Sequence, residues 1–230
     1  MALRAILFDF NGIIINDEPI HERLLQQILL EENLNIESIE LQAFCLGRSD
    51  RACLENLLEA RGRIVTETYL NQLIERKAKS YQAELEALPE LPLYPDTKAF
   101  IRRLSETELK LGIVSGAIRS EVELILQRAE LKRYFSVIVT SDEVATSKPE
   151  PEGYLLAVQL LNETYPDLNL KPEECLGIED SLAGVKAAQQ AGISVVGVAH
   201  TYPFHMLQRL ANWCVDSLAD LELDRVLKHY

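Results

Sequence analysis

Arg4-Ala5-Ile6-Leu7-Phe8-Asp9-Phe10-Asn11-Gly12 is the stretch on which the fold turns. After Arg4 the run is wholly apolar through Phe8, and it stops at an acid followed by Asn-Gly, a turn signal. A strand without polar alternation is buried on both faces, as in a parallel sheet. Such a strand needs partners of its own kind, and the chain supplies them at residues 109–114, 135–139, 175–178 and 193–198. Each is preceded by a helical stretch, at 96–105, 120–129, 152–161 and 182–190. Helix–strand alternation with apolar strands predicts right-handed βαβ crossovers and an α/β fold with a doubly wound parallel sheet. Residues 212–215 add an edge strand.

Between the first strand and the second, the rhythm differs. Residues 17–88 carry helical periodicity, most clearly at 21–34, 51–61 and 68–88, and no strand-like run interrupts it. Pro89, Pro92 and Pro95 then punctuate the chain. The expected organisation is an α/β core of residues 1–15 and 93–230 with an all-helical insertion, 16–92. In an open α/β sheet the ligand crevice lies at the carboxyl ends of the strands, so an insertion emerging there sits above the site as a lid.

The 230 residues are 47% hydrophobic and 26% charged, ordinary for a globular protein, with a formal net charge of −13. That balance argues against nucleic acid, whose phosphates are gripped by clustered Lys and Arg. It does not argue against a small anion, because a bound cation inverts the local field. No apolar stretch reaches membrane-spanning length, and the N-terminal run is interrupted too early for a secretory leader, so a cytoplasmic protein is expected. Cys45, Cys53, Cys175 and Cys214 form no CxxC pair and no zinc-spaced cluster, and they read as reduced thiols in a reducing compartment.

Four short segments each follow an apolar run, where a parallel sheet delivers side chains to one edge. Asp9 ends the first strand, where a carboxylate can serve as nucleophile or metal ligand, or simply finish a turn. Ser115-Gly116-Ala117 offers a hydroxyl and free N–H groups suited to a phosphate oxygen, and also reads as a plain turn. Lys148 lies between Ser147 and Pro149 in a proline-stiffened loop that can present its ammonium to a phosphate, or leave it in solvent. Glu179 and Asp180 are adjacent acids at a strand end that repel one another unless a cation such as Mg²⁺ binds; alternatively Asp180 or Ser181 caps the next helix.

Taken in order, Asp9, Ser115, Lys148 and the Glu179-Asp180 pair resemble the four signature motifs of the haloacid dehalogenase superfamily, over nearly the whole chain. The insertion after the first motif is similar to that superfamily's helical cap. Phe8-Asp9-Phe10-Asn11-Gly12 with Asp17-Glu18-Pro19 and His21, and Gly177-Ile178-Glu179-Asp180-Ser181 with Ala183-Gly184, resemble the β-phosphoglucomutase-like phosphatases and phosphomutases. The resemblance implies that Asp9 attacks phosphorus and forms an aspartyl phosphate. It implies Mg²⁺ held by Asp9, the backbone carbonyl of Asn11 and Asp180, with Glu179 nearby or through water. Ser115, Gly116, Ala117 and Lys148 then bind the phosphoryl oxygens of a small phosphorylated metabolite. His21 and, in the loop Leu46-Gly47-Arg48-Ser49-Asp50, Gly47 and Arg48 face its leaving group, unless Arg48 merely pairs with Asp50. The implied assembly is a monomer or weak homodimer.

Two departures matter. The β-phosphoglucomutase loop offers a Lys where this chain has Leu46, which argues against a glucose-phosphate mutase. The family's first motif carries a second Asp two residues after the nucleophile as general acid and base, and here that residue is Asn11, whose amide neither gives nor takes a proton at working pH. Three readings follow: a phosphatase using another proton carrier such as Asp17 or His21, a slow enzyme, or a binding protein for phosphorylated metabolites. Dehalogenase chemistry fits less well, since it needs no Mg²⁺, and phosphonatase chemistry needs a buried cap Lys, which nothing local marks in Lys77 or Lys79.

Overall fold

The computed structural model of the chain describes residues 2–230. Strand β1 (Ala5–Phe8) is followed by α1 (Glu18–Glu31), α2 (Ser38–Cys45), α3 (Asp50–Ala60) and α4 (Glu67–Ala87). The chain then alternates through α5 (Thr97–Ser105), β2 (Lys110–Val114), α6 (Arg119–Arg128), β3 (Val137–Val139), α7 (Glu152–Thr164), β4 (Cys175–Glu179), α8 (Leu182–Gln190) and β5 (Ser194–Val198). Helix α9 (Phe204–Leu207), strand β6 (Trp213–Val215) and helix α10 (Leu223–Leu227) complete it. The six strands form one sheet in the order β3-β2-β1-β4-β5-β6, every pairing parallel. The expected doubly wound α/β sheet is therefore present, with β6 at its edge.

Strand β1 shows why its sequence had to be apolar throughout. Ile6 and Phe8 pack into the cluster that includes α5 and α6, while Ala5 and Leu7 pack into the cluster that includes α7 and α8. Side chains alternate across a strand, so burial on both faces removes every polar position. Phe8 pairs with Ile113 on β2 and with Ile178 on β4, so the residues that follow these three strands emerge side by side.

Helices α1 to α4 build a third cluster around Leu25, Leu29, Leu54, Leu57 and Leu73. Helix α2 went unmarked in the sequence because it buries only Leu41 and so displays no apolar stripe. The two links between insertion and core run side by side: Asn16 N–H donates to Pro92 O at 2.8 Å, and Ile15 bridges Leu93. Across the α2–α3 connection, Cys45 and Cys53 form a disulfide with a Cα–Cα distance of 4.6 Å. This corrects the reading of four reduced thiols, which holds only for Cys175 and Cys214. The spacing of Cys45 and Cys53 carries no signal, since only the packing of α2 on α3 brings them together. The pairing also removes cysteine usage as an argument for a reducing compartment. Among the described residues no helix is long and apolar enough to cross a membrane.

Candidate active site

Asp9, Ser115, Lys148, Glu179 and Asp180 converge at the carboxyl edge of the sheet, and each is buried. Asp9 Oδ1 accepts from the Phe10 N–H at 2.7 Å and lies 2.8 Å from Lys148 Nζ. No hydrogen bond is made by Asp9 Oδ2 among the described residues. The Lys148 ammonium also reaches Glu179 Oε1 at 2.7 Å, as does the Tyr154 hydroxyl. Lys148 is thus not a solvated loop lysine: burial opposes its charge, but Asp9 and Glu179 outweigh that and raise its pKa. Ser115 Oγ accepts from the Ala117 N–H at 3.0 Å, folding the loop after β2 back on itself.

At the end of β4 the helix-capping role falls to Ser181, whose Oγ accepts from Gly184 N–H at 3.0 Å. Asp180 is left free of it and accepts instead from the Thr201 hydroxyl. Oxygens of Asp9, Glu179 and Asp180 lie within 4.8 Å of one another. Three carboxylates around one ammonium leave the cluster with excess negative charge. Burial, the Asp9 charge and the Glu179 charge push the Asp180 carboxyl well up, and burial with Asp9 pushes Glu179 up to about 7. A hard divalent cation relieves this repulsion and suits an all-oxygen donor set, so these residues fit Mg²⁺. Gly12, at φ +79°, lets the turn pass against Asp180, whose carboxylate a Cβ there would overlap. Its carbonyl accepts from His200 Nδ1 at 2.7 Å, with the ring stacked on Tyr94.

Asn11 aims its amide nitrogen at Asp17, 3.1 and 2.9 Å from the two carboxylate oxygens. Asp17 is fully buried and takes further contacts from His21 Nε2 at 3.2 Å and from the Tyr81 hydroxyl. Lys77 Nζ approaches His21 Nδ1 at 2.6 Å. Lys77 also pairs with Asp50 at 2.7 Å and with Glu121 of α6 at 3.4 Å. Nothing local in the sequence marks Lys77 as buried, yet it is completely so, whereas Lys79 is exposed. Burial works against its charge, but Asp50 and Glu121 raise its pKa, the opposite of what an amine nucleophile needs.

A cavity of about 60 Å³ lies between the sheet edge and the insertion. Asp9, Asn11, Gly116, Ala117, Lys148 and Asp180 line it from the core; Glu18, His21, Gly47 and Arg48 line it from the other side. Arg48 makes no ion pair among the described residues, and Asp50, its neighbour in the loop, is held by Lys77. Gly47 passes so close to Ser181 that a Cβ would overlap its hydroxyl, and the Arg48 carbonyl would lie 2.9 Å from a Cβ at Gly116. Ser115 borders an adjoining cavity and not this one. Glu18, Thr201, Tyr154 and His200 were missed by sequence reasoning. Only Glu18 carried a signal, standing within the quoted Asp17-Glu18-Pro19.

A family model described as Haloacid dehalogenase-like hydrolase matches residues 6–198. The chain belongs to that family. This hydrolase is 30% identical to YhcW of Bacillus subtilis over 229 residues, 99% of this chain and 97% of that one. It is 29% identical to the phosphorylated carbohydrates phosphatase of Thermotoga maritima over 201 residues, covering 86% and 87% of the two chains. Its fold is similar to that of β-phosphoglucomutase from Clostridium difficile, with a TM-score of 0.85 at 21% identity over 98% and 96% of the chains.

Proposed function

We propose that this hydrolase is a Mg²⁺-dependent phosphatase of small phosphorylated metabolites that works through an aspartyl phosphate on Asp9. The observation that carries the reading is the placing of Lys148 between Asp9 and Glu179, 2.8 and 2.7 Å away, in one cluster with the Asp180 carboxylate. Phosphoryl transfer asks chiefly for positioning and charge neutralisation, and these groups supply both. The phosphatase name of the Thermotoga maritima relative supports the same class of reaction.

In this reading Asp9 Oδ2 attacks phosphorus while the Phe10 N–H and Lys148 hold Oδ1. Lys148, Gly116 and Ala117 receive the phosphoryl oxygens, and Ser115, which borders the adjoining cavity, holds that loop through the Ala117 N–H. Asp9, the Asn11 carbonyl and Asp180, with Glu179 nearby, would hold Mg²⁺, which supplies charge neutralisation on the transferring group when bound. Residues 16–92 act as a lid: the cavity has room for only a few waters, so a metabolite enters when the insertion swings away on its paired links. The protein acts as a monomer or weak homodimer. The mutase alternative is weakened by Leu46, which brings no charge to the cavity it lines.

The test is a hydrolysis screen over phosphorylated sugars, nucleotides and small acids, with and without Mg²⁺. Turnover that requires Mg²⁺ and disappears in Asp9→Asn supports the reading. Turnover retained in Asp9→Asn sinks the nucleophile.

A further inference from the structure

An amide at residue 11 leaves the leaving oxygen without its usual proton donor, so some other group must supply the proton. The two substitutes that the sequence suggests are both engaged. Asp17 is fully buried, does not line the cavity, and receives contacts from Asn11, His21 and Tyr81. Burial opposes its charge, yet His21 and the donors around it hold its carboxyl below the usual range. His21 spends one ring nitrogen on Lys77 and the other on Asp17. Asp50 is paired with Lys77. Asp9 and Asp180 belong to the nucleophile and metal group.

Glu18 is different. It opens α1 directly after the link from the core, lines the same cavity as Asp9, Asn11 and Asp180, and is partly buried; Glu22 shares the cavity and the partial burial but stands one helical turn farther from that link. Its carboxylate has no hydrogen bond or ion pair among the described residues, so no other protein group holds it. We propose that Glu18 is the catalytic acid and base of this active site. The proposal rests on the reading of Asp9 as nucleophile. As the Asp9 Oδ–P bond forms and the bond from phosphorus to the leaving oxygen breaks, the Glu18 carboxyl gives its proton to that oxygen. The Glu18 carboxylate then takes a proton from the water that attacks phosphorus. The Asp9–P bond breaks, inorganic phosphate leaves, and both carboxyls return to their starting states.

The surroundings suit the task. Burial above all pushes the Glu18 carboxyl up to about 7; Lys77 with His21 works against this, and Asp17 and Asp9 add to it. Asp180, Tyr94 and Tyr202 also feel its charge, and Glu22 and Arg48 line the same cavity. A proton carrier works best with a pKa near the operating pH.

The experiment uses the full chain with Mg²⁺ and two probes, 4-nitrophenyl phosphate and glycerol 1-phosphate, whose leaving oxygens differ in their need for a proton. In Glu18→Gln, kcat on glycerol 1-phosphate should fall by roughly 10²–10³-fold, within the usual range for acid–base catalysis. The burst of 4-nitrophenol should fall far less, phosphoenzyme should accumulate on Asp9, and the ionisation near 7 should leave the pH–rate profile. Glu18→Asp, which keeps the carboxyl on a shorter arm, should recover part of the lost rate and guards against a folding defect. Equal loss on both probes, or the discriminating pattern in Glu22→Gln and not in Glu18→Gln, overturns the proposal. Failure of the underlying reading looks different: no phosphoenzyme on Asp9 in the unmodified protein, whatever the probe.

Discussion

The Asn11 amide nitrogen faces both oxygens of Asp17, at 3.1 and 2.9 Å. An Asp at residue 11 therefore meets a carboxylate, and the pair holds a shared proton rather than two charges. That raises the residue-11 carboxyl in the folded protein. Stability from such a group is present at low pH and lost as pH rises through the raised value. Asn11→Asp should match the unmodified protein in melting temperature near pH 5 and fall below it near pH 8. With Glu18 present, its gain on glycerol 1-phosphate should stay below about tenfold; in a Glu18→Gln background it should reach roughly 10²-fold. Asn11-Gly12 is also prone to deamidation, so peptide mass spectrometry must first exclude Asp at this position.

Asp9→Asn should abolish turnover while leaving the fold intact. It removes one of three mutually repelling carboxylates, and Lys148 keeps Glu179 as partner. Without Mg²⁺ its melting temperature should equal or exceed that of the unmodified protein. A large drop would show that Asp9 is needed structurally.

Burial and Asp9 raise Glu179 to about 7 in the folded, metal-free protein, from an ordinary value near 4.5. The sign is that of a raised acid: stability is complete below about 4.5 and declines as pH climbs through 7. A bound cation reverses the effect, because it favours the ionised carboxylates. The rise in melting temperature caused by Mg²⁺ should therefore be small at pH 5 and large at pH 8, and Asp180→Ala should reduce it. A Mg²⁺ effect independent of pH would contradict the site.

The Cys45–Cys53 disulfide closes a short loop that carries Gly47 and Arg48 into the cavity wall. Loop-closure entropy gives about 2–3 kcal/mol for a crosslink of this span. A dithiol reductant should lower the melting temperature by roughly 5–10 °C in a chain of this size, and Cys53→Ser should be insensitive to it. Alkylation without reductant, followed by intact mass measurement, counts the free thiols; only Cys175 and Cys214 should react.

Solution scattering tests the lid. Mg²⁺ with a trigonal phosphate mimic should reduce the radius of gyration as residues 16–92 close on the core. Lys77→Met should weaken that closure, because Lys77 joins α4 to Glu121 on the core helix α6. An unchanged radius in both forms counts against a moving lid.

The sequence by itself determined the sheet and the family. Strand β1 is apolar because its alternate residues enter two different cores, and that pattern is local, readable without knowing what lies opposite. The four motifs were legible for a related reason: each follows a strand, and parallel strands deliver their ends to one edge whatever the register. Tertiary structure decided everything that depends on partners distant in the chain. Lys77 looked like any helix-surface lysine until α1, α3 and α6 closed around it. Cys45 and Cys53 had no diagnostic spacing until α2 packed on α3. Asp180 and Ser181 competed for one capping role until the Gly184 N–H chose Ser181. Glu18 was one acid among 36 Asp and Glu residues, and its standing follows from where the insertion sets it, partly out of water and beside Asp9 and Asp180. Patterning fixes which faces are buried, but desolvation and charge–charge coupling depend on distances that only the folded chain defines.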